Sequence, residues 1–274
     1  MNTIIGQKKL LSELKLYNFV TAPPAALLLG EAGSGKHYIA ERFAKHLGVE
    51  LVELTDHTTV EELIDYRQSP VARLYLIELA EVTEKAQNKF LKFIEEPSPT
   101  IRVLLTAESD LNVLPTIKNR CKIFRMEAYT TEELKQFSWA PTTSNPLVYK
   151  ICTTPGQLLK LTDAEALSKI QKLCQTILQR APKLPQSSYA NFMGICTTIN
   201  CKEDFAKFDL ILFLKVLLYE AFETFTKTQD VFCFEVYRLT MSEYKHFLDK
   251  TPLKENFILS FLNKIWGLTT HESR

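Results

Sequence analysis

A short apolar run leads directly into a glycine-rich loop and then into a helical pattern near the start of this 274-residue chain. The run is AALLLG (residues 25–30), and the loop is GEAGSGK (30–36). Gly30, Gly35 and Lys36 fit the phosphate-loop pattern G-x-x-x-x-G-K-[ST], which is meaningful only between a strand and a helix. Because the order strand, loop, helix is met here, the segment predicts the first βα unit of an α/β domain.

The same alternation continues as far as residue 126. Five apolar runs predict strands, and the segments between them have the 3.6-residue spacing of helices. All but one of the runs are almost continuously apolar, as in strands buried on both faces of a parallel sheet. The predicted strands are residues 25–30, 49–54, 73–79, 102–107 and 121–126. Alternating strands and helices predict an α/β fold, a doubly wound domain with a parallel five-stranded sheet.

The pattern changes after residue 126. Residues 127–165 combine a short helical segment, TEELKQF, with a loop rich in Pro, Ser, Thr and Asn. From residue 166 to 274 apolar residues repeat at helical spacing, as in EALSKIQKLCQTILQ, without a convincing order of strands. The sequence therefore predicts an α/β domain over 1–126, a small domain over 127–165 and an all-α domain over 166–274.

Composition and charge argue against several classes of protein. Lys and Arg number 33 and Asp and Glu 32, and this net charge of +1 argues against bulk electrostatic binding of nucleic acid. The most apolar run, FDLILFLKVLLYEAF, contains Asp, Lys and Glu and is too short to span a bilayer, so we expect no membrane partner. The six cysteines include no C-x-x-C pair, which favours free thiols in a reducing cytoplasm and no zinc site.

The glycine-rich loop lacks one side chain that catalysis needs. Gly30, Gly33 and Gly35 let backbone N–H groups close around phosphates, and Lys36 would reach the terminal phosphates. His37 stands where the pattern has Ser or Thr, whose hydroxyl is a magnesium ligand. Imidazole suits softer metals than magnesium. The loop therefore predicts nucleotide binding without efficient hydrolysis.

A second group is missing at the end of the predicted third strand, LYLIELAE. A working ATPase of this class has Asp there to support magnesium, followed by Glu to orient the attacking water. Glu78 and Leu79 occupy these positions. Glu78 has a carboxylate for the first role, whereas Leu79 has no polar group for the second. Two separate parts of a hydrolytic site are therefore absent.

Several short motifs follow that strand. They are Ala86-Gln87-Asn88, Leu91-Lys92, Glu95-Glu96-Pro97, Leu114-Pro115-Thr116-Ile117 and Asn119-Arg120-Cys121. Together with IIGQKKL near the N-terminus, they resemble the signature of the AAA+ clamp-loader family. The resemblance covers about the first 126 residues closely. It implies an AAA+ domain over 1–126, with the remainder similar in pattern and length to a lid (127–165) and an oligomerising collar (166–274).

The resemblance also implies roles for individual residues. Lys36 would contact phosphate, Thr106 would be the polar sensor of the terminal phosphate, and Arg120 would be an arginine finger that reaches a neighbouring subunit's ATP site. The family's lid offers an arginine to its own nucleotide, where this chain has Gln157. The losses in the loop, the third strand and the lid all affect the chain's own site. The resemblance thus implies a subunit that does not hydrolyse ATP but supports hydrolysis by its neighbour.

The same resemblance implies ligands and partners. We expect a hetero-oligomeric ring, pentameric in this family, that opens a sliding clamp and closes it around primer-template DNA during replication in the cytoplasm. ATP and Mg2+ would act in neighbouring subunits, and ATP or ADP in this chain's own loop remains an open alternative. Two other hypotheses also stay open: an active AAA+ ATPase acting on DNA or the clamp, and a regulatory interaction protein that reuses the fold.

Overall fold

The computed structural model describes most of the chain. The described residues are 4–80, 82–95, 98–110, 113–137, 146–161, 164–185, 187–196, 209–250 and 254–271. They form two compact units, one of Met1–Thr142 with Cys152–Lys160 and one of Thr143–Ile151 with Leu161–Arg274. Most of the loop predicted from its Pro, Ser, Thr and Asn content lies outside the described residues. The segment Cys152–Lys160, part of the predicted small domain, groups with the α/β unit.

The first unit is built on a parallel sheet. Its strands are β1 (Ala25–Leu29), β2 (Glu50–Leu54), β3 (Arg73–Glu78), β4 (Ile101–Ala107) and β5 (Lys122–Arg125). They pair in parallel in the order β2-β3-β4-β1-β5. The predicted five-stranded parallel sheet is confirmed, and each strand end lies within one residue of its predicted position.

Helices of the first unit cover both faces of this sheet. In chain order the helices up to residue 160 are α1 (Lys8–Leu14), α2 (Lys36–Leu47), α3 (Val60–Gln68), α4 (Glu84–Glu95), α5 (Pro115–Lys118), α6 (Thr131–Leu134), α7 (Val148–Ile151) and α8 (Pro155–Lys160); α7 belongs to the second unit. On one face Leu63, Phe90 and Phe93 of α3 and α4 pack on the sheet. On the other, Ile39 and Phe43 of α2 pack beside residues of α1. Both faces are therefore apolar, which explains the continuous apolar runs of the strands.

The second unit is helical throughout its described residues. Besides α7 it contains α9 (Ala164–Arg180), α10 (Tyr189–Ile195), α11 (Leu210–Thr228), α12 (Val231–Lys250) and α13 (Lys254–His271), with a 3-10 turn at Ala181–Lys183. Its core includes the buried side chains of Cys174, Ile177, Phe213 and Phe261. The prediction of an all-α C-terminal region is confirmed. Within the described residues, none of the helices is both long enough and apolar enough to cross a membrane.

Candidate functional site

The glycine-rich loop follows β1 at the carboxyl end of the sheet. All five residues of β1 are buried, so the strand fixes the start of the loop. Gly33 and Gly35 have φ angles of 75° and 90°, a backbone conformation that favours glycine. A Cβ atom at Gly30 would lie 2.9 Å from the Ser34 hydroxyl oxygen. The loop therefore needs its glycines for its shape, as the motif predicts.

Lys36 begins α2 and turns back over the loop. Its ammonium group donates hydrogen bonds to the carbonyl oxygens of Gly30 (2.8 Å) and Glu31 (3.1 Å). Burial lowers the pKa of Lys36, and the carboxylates of Glu108, Glu78 and Glu31 oppose that shift. The lysine thus bonds to the loop that precedes it.

His37 is surrounded by carboxylates. Its Nδ1 lies 2.9 Å from Oε1 of Glu78, and its Nε2 lies 3.4 Å from Glu53 and 3.6 Å from Glu41. The hydrogen bond to Glu78 is the main cause that raises the pKa of His37, and the charges of the three glutamates add to it against the effect of burial. These contacts favour an imidazolium ion at this position. We refer to His37, Glu41, Glu53 and Glu78 as the histidine cluster.

The histidine cluster does not fit magnesium. A magnesium ion takes oxygen ligands in octahedral geometry, whereas the imidazole here is itself bonded to the Glu78 carboxylate. Among the described residues, no three His, Cys, Asp or Glu side chains are grouped so as to hold a metal ion. The Glu78 carboxylate is thus hydrogen-bonded to a side chain of its own chain.

The ends of β3 and β4 bring Glu78 and Thr106 side by side. These two residues are partners in the strand register, and the N–H of Leu79 donates to the carbonyl of Thr106 at 2.9 Å. Thr106 is buried at the carboxyl end of β4, where the resemblance puts a sensor. The Leu79 side chain is buried in the core beneath α4. A residue packed there has neither the polarity nor the position to orient water.

Residues 153–157, which we call the latch segment, lie against the glycine-rich loop. The hydroxyl of Thr154 donates to the carbonyl of Ala32 at 2.9 Å, and the N–H of Gly156 donates to the carbonyl of Gly33 at 2.9 Å. A Cβ atom at Gly156 would lie only 2.5 Å from the Cα of Gly33. The two backbones therefore approach so closely that each requires glycine at the contact.

Side chains of the latch segment also reach the loop. The Thr153 hydroxyl and the Gln157 amide donate to the same Glu31 carboxylate oxygen, at 2.5 and 3.2 Å. The Tyr129 hydroxyl adds a hydrogen bond to the carbonyl of Ser34 at 3.0 Å. Gln157, at the place where the family offers an arginine, thus bonds to the loop itself. Sequence reasoning missed this contact, because about 120 residues separate its two sides.

Arg120 lies apart from these contacts, just after α5. One guanidinium nitrogen is 3.0 Å from a carboxylate oxygen of Glu95, and the other donates to the carbonyl of Thr116 at 2.7 Å. The side chains of Arg120 and Glu95 are 40% and 36% exposed. The predicted finger residue is therefore a surface arginine that is held by α4 and α5.

The chain is similar to several replication proteins. Residues 59–130 match the family described as DNA polymerase III, delta subunit. Over 154 residues the chain is 25% identical to a replication factor C small subunit of Methanococcus vannielii and 24% identical to one of Methanococcus maripaludis. Each match covers 49% of this chain and 48% of the relative, so the chain spans about half the length of the curated relatives it matches.

The solved structures that match this chain have low sequence identity to it. The Holliday junction branch migration motor RuvB of Thermotoga maritima is 15% identical, with a TM-score of 0.44 over 71% of this chain and 84% of that one. A DNA polymerase III gamma subunit-related protein of the same organism is also 15% identical, with a TM-score of 0.41 over 96% of this chain and 100% of that one.

The sheet order and the loop between β1 and α2 define a P-loop domain of the AAA+ class. Over residues 59–130, and over the segment shared with the replication factor C small subunits, the chain is similar to proteins of the AAA+ clamp-loader family.

Proposed function

We propose that this chain is a clamp-loader subunit of the delta-prime kind that acts in DNA replication without hydrolysing ATP itself. The observation that carries the proposal is the hydrogen bond between His37 and Glu78, with Glu41 and Glu53 close by. In a working site a hydroxyl and a carboxylate at these two positions would hold magnesium. Here the imidazole stands in place of the hydroxyl ligand and is hydrogen-bonded to the same carboxylate, so the usual pair of magnesium ligands is not available.

The buried position of Leu79 supports the same proposal. Its side chain packs in the core, and a glutamate there would bring a charge into an apolar environment. Restoring the hydroxyl at position 37 would therefore not restore a group that orients water. In this proposal the loop holds ATP or ADP, if it is occupied, without turning it over.

Arg120 is proposed as the residue that this subunit contributes to catalysis. Its pair with Glu95 is solvent-exposed on both sides, and such pairs contribute only about 0–1 kcal/mol. A nucleotide of a neighbouring subunit carries several negative charges, so exchanging Glu95 for phosphate costs the chain little. An arginine delivered in trans stabilises the charge that develops during phosphoryl transfer.

The partners of the proposed subunit follow from the family. They are sister subunits in a hetero-oligomeric, pentameric ring, a sliding clamp, and primer-template DNA held by the assembly. Mg2+ and ATP would be used in the neighbouring subunits, and the assembly would work in the cytoplasm. The alternative hypothesis, a regulatory interaction protein that reuses the fold, differs from this proposal because in it Arg120 contacts no nucleotide.

Replacing Arg120 in a complete ring tests the proposal. The ring is reconstituted with its sister subunits and carries Arg120→Ala, and single-turnover ATP hydrolysis is measured with and without primer-template DNA. The site that faces Arg120 is expected to lose about three to five decades of rate. The matched control is Arg125→Ala, since Arg125 is also an exposed arginine paired with a carboxylate, that of Asp110.

Assembly of each ring is checked by its elution volume before turnover is measured. An intact Arg120→Ala ring with unchanged turnover at every site would overturn the arginine-finger assignment. Equal losses for Arg120→Ala and Arg125→Ala would also count against it, because they would indicate a general effect of surface charge.

A further inference from the structure

An open groove lies between α3 and α4. It encloses about 820 Å3. Its base is formed by Leu63 and Phe93, which are buried, and its wall on the α3 side by Val60 and Ile64. We call this feature the α3–α4 groove.

The wall of the groove contains two large apolar side chains that are about half exposed. Val60 is 53% exposed and Ile64 is 47% exposed, and they lie four residues apart on one side of α3. Leu63 already anchors α3 to the core, so these two side chains are not needed to fold the helix onto the sheet. An exposed apolar wall above a buried apolar base is the kind of groove into which an amphipathic helix lays its apolar face.

The other side of the groove is basic. Of the charged residues that line it, Arg67, Lys85, Lys89 and Lys92 are cations and Asp56 is the only anion. The groove lining thus has a net charge of +3, whereas the whole chain has +1. The residues that line the groove therefore carry an excess of positive charge.

The basic side chains are arranged along α4. Lys89 is half-buried and donates to the carbonyls of Asp56 (3.1 Å) and Thr58 (2.5 Å), so it holds the loop before α3. Lys85 and Lys92 are exposed on either side of it. Seven residues of helix rise about 10 Å, so these two lysines match carboxylates placed two turns apart on a second helix.

We propose that the α3–α4 groove binds an acidic amphipathic helix of a partner protein. Apolar residues of that helix would cover Val60 and Ile64, and its carboxylates would face Lys85 and Lys92. A nucleic acid would satisfy the lysines but would leave the apolar wall exposed, so the combined surface favours a peptide. The proposal does not depend on the chain's role in ATP hydrolysis.

A designed peptide of about 20 residues, long enough to be helical, serves as the probe. It has Leu at the a and d positions of each heptad and Glu at the flanking positions, and it carries fluorescein for anisotropy measurements. The comparison peptide has Lys in place of every Glu. We expect saturable binding of the acidic peptide, weakened by added salt, and no binding of the basic one.

Charge reversal locates the binding surface. Lys85→Glu/Lys92→Glu is expected to weaken binding of the acidic peptide at least tenfold, and Ile64→Glu is expected to do the same. The matched control is Lys8→Glu/Lys15→Glu, because these lysines are also exposed and seven residues apart, on α1 and its C-cap. Leu259→Glu controls for Ile64→Glu, since Leu259 is 44% exposed on a helix of the second unit.

Circular dichroism and thermal melts confirm that each variant is folded before binding is measured. The proposal is overturned if the wild-type chain shows no saturable binding up to about 1 mM peptide, or if the groove variants bind as well as their controls. Displacement of the peptide by an oligothymidylate that binds the wild type but not Lys85→Glu/Lys92→Glu would also overturn it, because the groove would then be a nucleic-acid site.

Discussion

The glycine-rich loop and the segment around Arg120 belong to the same α/β unit, but their charged groups are satisfied in different ways. In the loop region, Lys36 bonds to loop carbonyls, His37 to carboxylates, and Glu31 to two side chains of the latch segment. Arg120 has an exposed carboxylate partner and one backbone carbonyl. The first region is a network in which several charged groups bond to distant parts of the chain, whereas Arg120 bonds, among the described residues, only to the ends of two neighbouring helices.

This difference has an energetic meaning. A charged group within a network must give up several hydrogen bonds before it can bind a ligand, so redirecting it costs more than exchanging the partner of a single exposed ion pair. An exposed pair such as Arg120 with Glu95 exchanges its partner at little cost. The loop region is therefore suited to a fixed structural role, and the Arg120 segment is suited to act on another molecule.

The prediction with the largest expected effect concerns ATP hydrolysis by the isolated chain, which would contradict the difference between the two regions. We expect no sustained heat of turnover in a calorimetric titration, because the histidine cluster replaces the magnesium ligands and Leu79 is buried. Lys36→Ala supplies the blank. Sustained heat in the wild type that is absent from the blank would mean that the loop is a working active site, and the active-ATPase hypothesis would then be preferred.

The substitution Gly156→Ala tests whether the latch segment holds the glycine-rich loop, because it should weaken the contact between the two. The added Cβ would lie 2.5 Å from the Cα of Gly33, so the two backbones must separate. We expect a loss of about 1–3 kcal/mol in the free energy of unfolding, as for overpacked sites, measured by urea denaturation. Faster hydrogen exchange at the amides of residues 31–36 should accompany it.

Gly194→Ala provides the control for that measurement. Gly194 lies within α10 and has no atom within 4 Å of an added Cβ, so alanine there is expected to leave stability unchanged or raise it by about 0.4–1 kcal/mol. If Gly156→Ala behaves like Gly194→Ala, and exchange in the loop is unaltered, the latch segment does not hold the loop.

The smallest effect is the pH dependence that His37 introduces. Its pKa is raised above the ordinary value of 6.5, so its bond to Glu78 stabilises the fold fully below that value and less as pH rises through the raised pKa. Because the side chain is 43% exposed, solvent screening limits the contribution to less than about 1 kcal/mol. The difference in melting temperature between wild type and His37→Gln should shrink as pH increases.

An NMR titration of the imidazole measures the same linkage directly. Glu78→Gln removes the carboxylate and keeps the size of the side chain, so it is expected to lower the pKa of His37 towards 6.5. A His37 pKa that does not change in Glu78→Gln would show that the pair is not formed in solution.

Much of the first unit could be predicted from sequence because its signals are local. The central strands β1, β3 and β4 are buried on both faces, so each appears in the chain as an almost continuous apolar run. The edge strands β2 and β5 are more exposed and contain charged residues. The motif from Gly30 to Lys36 specifies both the turn and the helix that follows it. Helical spacing likewise predicts the second unit, since its helices bury one side of each turn.

Contacts between residues that are distant in the sequence could not be predicted in the same way. His37 and Glu41 are four residues apart on a helix, but Glu53 and Glu78 meet His37 only because β2 and β3 end beside α2. Nothing in the local pattern of residues 153–157 indicates that they bond to the loop. The α3–α4 groove likewise lies between two helices that are separated in the sequence by strand β3.

The sequence by itself determined the parallel α/β architecture, the helical C-terminal region and the residues that depart from a working ATP site. Only the tertiary structure decided what those departures do: His37 meets three carboxylates, Leu79 enters the core, and the latch segment bonds to the loop. The reason is physical. Periodicity and loop motifs are properties of neighbouring residues, whereas the charge and burial of a side chain depend on which distant elements fold against it.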